Sequence, residues 1–154
     1  PDTVQELVEE LDLAIQPPAV RREKNIEKLN RYLSRIDAAI QEGRYTLAFK
    51  LTNRCLIEYY RAFIRSHQIP SMGTMDNINL MSIHICRYII GYFNKYRIPY
   101  TERRVLLITT VTNVLFTTMR HIQSSTAKVK VDKAIAIYAR NNMNRIARFL
   151  SRYI

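Results

Sequence analysis

The sequence predicts an all-α fold, an antiparallel bundle of four to five long helices with a short N-terminal helix. Three observations predict it. Glycine and proline are scarce, three and five in 154 residues, too few for the turns of a many-stranded sheet. Apolar residues recur at three- and four-residue spacing in nearly every segment. Breaks are few: Pro17 and Pro18, Gly43, 70–73, Pro99, and a softer one at Ser124 and Ser125. The mass of 18.2 kDa suits one domain, large enough to bury a core without disulfides.

Residues 1–18 read as an acidic amphipathic arm or linker helix, and 19–154 as the helical bundle domain. In 3–15, Val4, Leu7, Val8 and Leu11 form one stripe among Glu6, Glu9, Glu10 and Asp12. This segment is acidic where the rest of the chain is strongly basic. It reads either as a helix docked on the body, as an arm covering a neighbouring subunit or a basic groove, or as the tail of a linker.

The bundle begins with 20–42, where Ile26, Leu29, Leu33, Ile36 and Ile40 keep the helical period and Gly43 stops it. Tyr45–Ser66 restarts at once, with Ala48, Leu51, Cys55, Tyr59 and Ala62 on one side, broadened by Phe49, Leu56 and Phe63. So short a join predicts an antiparallel hairpin. In 76–95 the apolar face is Ile78, Met81, Ile85, Ile89, Tyr92 and Phe93. Residues 101–123 include a β-branched run at Ile108, Thr109, Thr110, Val111 and Thr112, which local propensity would allow as a strand. No turn signal interrupts them, and an unbroken strand of about twenty residues is improbable, so they read as a helix. Its expected face is Leu107, Val111, Val114, Leu115, Thr118 and Met119, with threonine hydroxyls bonded back to the preceding turn. From Val131 to the end, Asp132 suits a cap, and Ala134, Ile137, Tyr138, Met143, Ile146 and Leu150 form the expected stripe, extended by Phe149 and Ile154.

The formal charge is +11, from 24 Lys and Arg against 13 Asp and Glu. That exceeds the roughly 2–8 of ordinary small domains and favours an anionic partner. Cys55 and Cys86 sit in apolar helical patterns and read as buried thiols of a reducing, cytoplasmic compartment. No metal set is expected from two cysteines and three scattered histidines, and no cofactor is expected. The longest unbroken apolar run is 134–139, against the roughly 20 residues of a membrane span, so no membrane partner is expected. Pro1, Asp2 and Thr3 do not open a signal peptide. Without an initiator Met, the sequence fits a processed chain or part of a larger polypeptide.

Phosphate-loop, dinucleotide, zinc-protease, CxxC and nucleophile-elbow motifs are all missing. Glu58 shares a helix side with Arg54, Arg61 and Arg65, either as a carboxylate orienting arginines or as a surface ion pair. Arg120 and His121 read as an acid–base candidate or as a basic helix end. His67 and His84 have no partner at ligand spacing. The last helix carries Arg140, Arg145, Arg148 and Arg152 interleaved with Asn141, Asn142 and Asn144, and Lys128, Lys130 and Lys133 precede it. Arg145, Arg148 and Arg152 share a face, suiting phosphate contact or a solvated face. Tyr59, Tyr60, Tyr88, Tyr92, Tyr96 and Tyr100 would stack bases if exposed, or pack with hydroxyls at the rim.

The stretch 36–66 resembles the first hairpin of the HEPN superfamily, closest to the C-terminal domain of abortive-infection proteins. The likeness rests on the turn Glu42, Gly43, Arg44 and Tyr45, on Ala48, on Glu58 before Tyr59, and on Ala62 and Phe63. The late helix fits through 134–138, Ile146, Ala147, Phe149 and Leu150. It implies a helical bundle, often dimeric, acting in defence as a ribonuclease or as a nucleic-acid-binding module. The family's catalytic pattern is an arginine, a polar residue, about three more residues and a histidine. Arg120 stands in place of that arginine, but His121 occupies the polar position and no histidine follows at the required distance.

The resemblance also implies that Glu58 and Arg120 form an internal polar pair. The leading expectation is a non-catalytic HEPN-like domain binding nucleic acid, RNA before DNA, or a partner protein. Its basic candidates are Arg54, Arg61, Arg65, Lys128, Lys130, Arg140, Arg145, Arg148 and Arg152. The alternatives are an active metal-independent ribonuclease using Arg120, His121 and Glu58, and a structural or oligomerisation module, for instance a homodimer.

Overall fold

The computed structural model describes residues 19–70, 77–100, 102–123 and 130–154. The acidic segment 1–18 and Lys128 lie outside them. Five helices and no strand occupy the described residues: α1 Ala19–Gln41, α2 Tyr45–Ser66, α3 Ile78–Lys95, α4 Glu102–Gln123 and α5 Lys133–Ser151. The chain is an all-α bundle, and the β-branched run in α4 is helical. Thr112 and Thr109 donate their hydroxyls to the carbonyls of Ile108 and Leu106, which satisfies them inside the helix.

Local chemistry sets the helix ends. Asn77 caps α3, its side chain accepting from the Leu80 N–H at 3.1 Å, and Asp132 caps α5 from the Ile135 N–H at 2.8 Å. α1 ends in a Schellman turn: the Arg44 N–H donates to the Ala39 carbonyl and the Gly43 N–H to that of Ile40, with Gly43 at φ +75°. α2 and α3 end in the same turn with a side-chain-bearing residue in the left-handed position, Gln68 at φ 51° and Arg97 at φ 54°. An Ile and then a Pro follow each, so the chain cannot continue as helix.

α2 and α5 form the centre. α1 packs on both, α3 on α2, and α4 on α3 and α5. Side-chain bonds from Tyr32 to Glu58 and from Arg140 and Arg148 to Asp37 and Asn30 show α1 antiparallel to both α2 and α5. The core holds Leu29 and Ile36 of α1, Phe49, Leu56, Tyr60 and Phe63 of α2, Met81 and Ile85 of α3, Ile108 and Leu115 of α4, and Met143 and Ile146 of α5. Burying each such side chain contributes roughly 1.5–3 kcal/mol. Tyr60, fully buried, bonds the Thr112 hydroxyl and ties α2 to α4. Cys55 and Cys86 are buried free thiols, both pushed up to about 12 by desolvation.

Two helices turn a different face inward than their spacing suggested. In α5 the buried residues are Ala136, Ala139, Met143, Ile146, Ala147 and Leu150, while Ile137 and Tyr138 are 37% and 44% exposed and Ala134 faces solvent. Small alanines let the first half of α5 approach its neighbours closely, and the bulkier apolar residues are left outside. In α4, Val105, Ile108, Val111, Thr112 and Leu115 are buried, and Val114 is exposed. One stretch among the described residues, Val105–Gln123 of α4, is long and apolar enough to cross a membrane, by length and composition only. A search for unbroken apolar runs overlooks it, because threonines interrupt the run at little cost in hydropathy.

Candidate nucleic-acid interface

The basic residues picked out by sequence fall into separate groups. Arg140 is bound by both oxygens of Asp37, at 2.9 and 3.0 Å, and this bidentate pair fastens α5 to α1. Arg61 is half-buried and engaged. Arg54 and Arg65 are exposed on α2. Lys130 is exposed just before α5, at the opposite end of that helix from Arg152.

Arg145, Arg148 and Arg152 do come together. With Arg103 of α4 they line an open groove of about 440 Å³ whose apolar floor is Leu107, Ile108, Ile146 and Phe149. The 3–4–residue spacing within α5 puts its three arginines on one side. The packing of α4 on α5 supplies the fourth. Arg148 is steadied by neutral amides, its Nε donating to Asn144 at 2.9 Å and its Nη2 reaching Asn30 at 3.4 Å. Such bonds orient a guanidinium without cancelling its charge. Among the described residues no carboxylate pairs with any of the four. Glu23 and Glu27 stand within two turns of Asn30 on α1, and neither bonds a groove arginine.

Glu58 behaves oppositely. Its Oε1 accepts from the Tyr32 hydroxyl at 2.6 Å and its Oε2 pairs with Lys28 Nζ at 2.8 Å. Burial raises its carboxyl, but the bonds from Lys28 and Tyr32 and the charges of Lys28 and Arg54 outweigh that and hold it below its ordinary value. Burial, helped by Glu58, pushes the Tyr32 hydroxyl up. The partners of Glu58 thus come from α1, not from Arg120 as the HEPN likeness implied. Arg120 and His121 are exposed in the last turn of α4, Arg120 lying 5.8 Å from the Phe116 ring centroid. No bond joins either to Glu58.

The tyrosines divide as well. Tyr59 and Tyr60 are buried, and the Tyr59 hydroxyl donates to the Asn25 carbonyl. Tyr88, Tyr92 and Tyr96 form a partly buried aromatic row along α3. His67 lies beside that row. Its Nε2 is 2.6 Å from the Tyr153 carbonyl and its Nδ1 is 3.2 Å from the Tyr88 hydroxyl, so it fastens the C-terminal end to α2 and α3. Desolvation lowers its pKa.

Sequence reasoning missed Arg103, Lys28 and Tyr32, each brought in from another helix, and no spacing signal within one helix could have found them. No known family model, curated protein or solved structure matches the chain.

Proposed function

We propose that this domain binds RNA without cleaving it, holding the phosphate backbone in the α4–α5 groove. The carrying observation is four arginines converging from two helices with no paired carboxylate among the described residues. Guanidinium groups suit phosphate oxygens because their planar donors bond them in pairs. The partly exposed Leu107 and Phe149 of the floor give unstacked bases an apolar surface, which favours single strands over duplex. The HEPN likeness of the 36–66 hairpin supports RNA over DNA. Non-catalytic binding is supported by Glu58, whose oxygens are already engaged, and by the lack, among the described residues, of a carboxylate bond to Arg120 or His121.

The test is binding of a labelled single-stranded RNA and a matched DNA duplex across a salt series. Four phosphate contacts give a slope of about −3 in log K against log salt for a single strand. Failure to bind either nucleic acid at low salt would remove the reading. Shortening of the RNA in EDTA that disappears in His121→Ala would replace it with the ribonuclease reading.

A further inference from the structure

The chain carries a segment opposite in charge to the groove. Residues 1–18 hold five acidic residues, Asp2, Glu6, Glu9, Glu10 and Asp12, and no basic one. The remaining 136 residues hold all 24 Lys and Arg against eight Asp and Glu. The segment pairs these acids with the apolar stripe Val4, Leu7, Val8 and Leu11. The groove pairs its arginines with an apolar floor. The two surfaces match in charge and in apolar character.

The topology puts them within reach. α1 runs antiparallel to α5, with Asp37 opposite Arg140 and Asn30 opposite Arg148. Continuing that register sets Arg152 level with Ile26, so the start of α1 at Ala19 lies about 10 Å beyond the groove's end at 1.5 Å per residue. Residues 1–18 therefore join the body at the arginine end of α5. Extended, they reach up to about 60 Å. In the helix that their sequence predicts, 3–15 would cover about 20 Å, twice the rise from Arg145 to Arg152. Pro17 and Pro18 interrupt that helix before α1, so its direction is not tied to that of α1.

We propose that segment 1–18 docks in the α4–α5 groove of its own chain, its acids on Arg103, Arg145, Arg148 and Arg152, and so competes with RNA. The docking stands without the RNA reading, and only the competition rests on it. The experiment uses the full 154-residue chain, isotope-labelled, with a nitroxide on Gln5→Cys. Cys55 and Cys86 are buried, so the label goes to position 5. Amide signals of 103–108 and 145–152 are expected to broaden at low salt and recover as screening rises. Broadening is also expected to vanish when Asp2 and Asp12 become Asn and Glu6, Glu9 and Glu10 become Gln.

If the segment occupies the groove nine-tenths of the time, the neutralised chain binds an oligouridylate about tenfold tighter at low salt. Broadening elsewhere, nowhere, or only between labelled and unlabelled copies overturns the docking. Groove broadening in a chain that binds no RNA in either form supports the docking and removes the RNA reading. RNA binding unchanged by neutralisation, with no broadening, does the reverse.

Discussion

The Glu58 cluster and the α4–α5 groove are both charged clusters on helices, and they end up opposite in kind. Glu58 has three arginines at helical spacing on α2, yet its direct partners are Lys28 and Tyr32 on α1. Among the described residues no carboxylate pairs with the groove arginines, and Arg148 is fixed by side-chain amides. The first cluster has spent its charge on holding two helices together. The second keeps its charge uncancelled by any described carboxylate. Arg140 shows how close the two fates lie: on the same helix as the groove arginines, it is claimed by Asp37.

The largest effect that sharpens this contrast concerns the groove. Between about 50 and 200 mM salt, RNA affinity of the chain whose five acids in 1–18 are neutralised is expected to fall about 50-fold, from four phosphate contacts. Arg145→Gln, Arg148→Gln and Arg152→Gln together leave only Arg103, and the fall shrinks to about threefold. Unfolding of this variant in urea should shift by no more than about 0.5 kcal/mol per site, because these residues are solvent-facing. A triple variant that keeps the salt slope of the neutralised chain with all four arginines would break the comparison outright.

The mirror-image prediction is that Glu58→Gln lowers stability and spares binding. It removes the charge-assisted bond to Lys28 while keeping an acceptor for Tyr32, costing about 1 kcal/mol at this half-exposed site. RNA affinity should change less than about twofold, as for any site outside the contact surface.

A smaller effect follows from pH. The folded Glu58 carboxyl lies below its ordinary value of 4.5. Its stabilisation is therefore complete above the unfolded value and is lost as pH falls through the folded one. Denaturation midpoints of the wild type and Glu58→Gln should converge as pH drops from about 5 to about 3. Midpoints that keep a constant separation over that window would contradict the Lys28–Glu58–Tyr32 account. The smallest effect is expected for Arg54→Gln, which sits by Glu58 and away from the groove. Its RNA affinity should stay within about twofold of wild type, against the losses at Arg145 and Arg148.

Much of the fold is legible in the sequence. Tyr45–Ser66 begins and ends where its spacing and Gly43 place it, and Asp132 caps α5. What was not legible was rotation about a helix axis. Spacing put Ile137 and Tyr138 in the core, but Ala136 and Ala139 are there instead. Either face of that half-helix is apolar, and close approach selects the smaller one. The same holds for the helix ends. The Gln68 and Arg97 turns carry no glycine to announce them, and only the Pro that follows gave a signal.

By itself the sequence determined the helical class, the number and order of the long helices, the basic excess and the one-sided set Arg145, Arg148 and Arg152. These follow from local periodicity and composition, which act over one or two turns of chain. Tertiary structure alone decided which charges are cancelled. It set Asp37 against Arg140 across 103 residues of chain, brought Lys28 and Tyr32 to Glu58, and added Arg103 to the groove. Whether a surface charge is free depends on what other helices bring within a few ångströms, and spacing along a single helix carries no record of that.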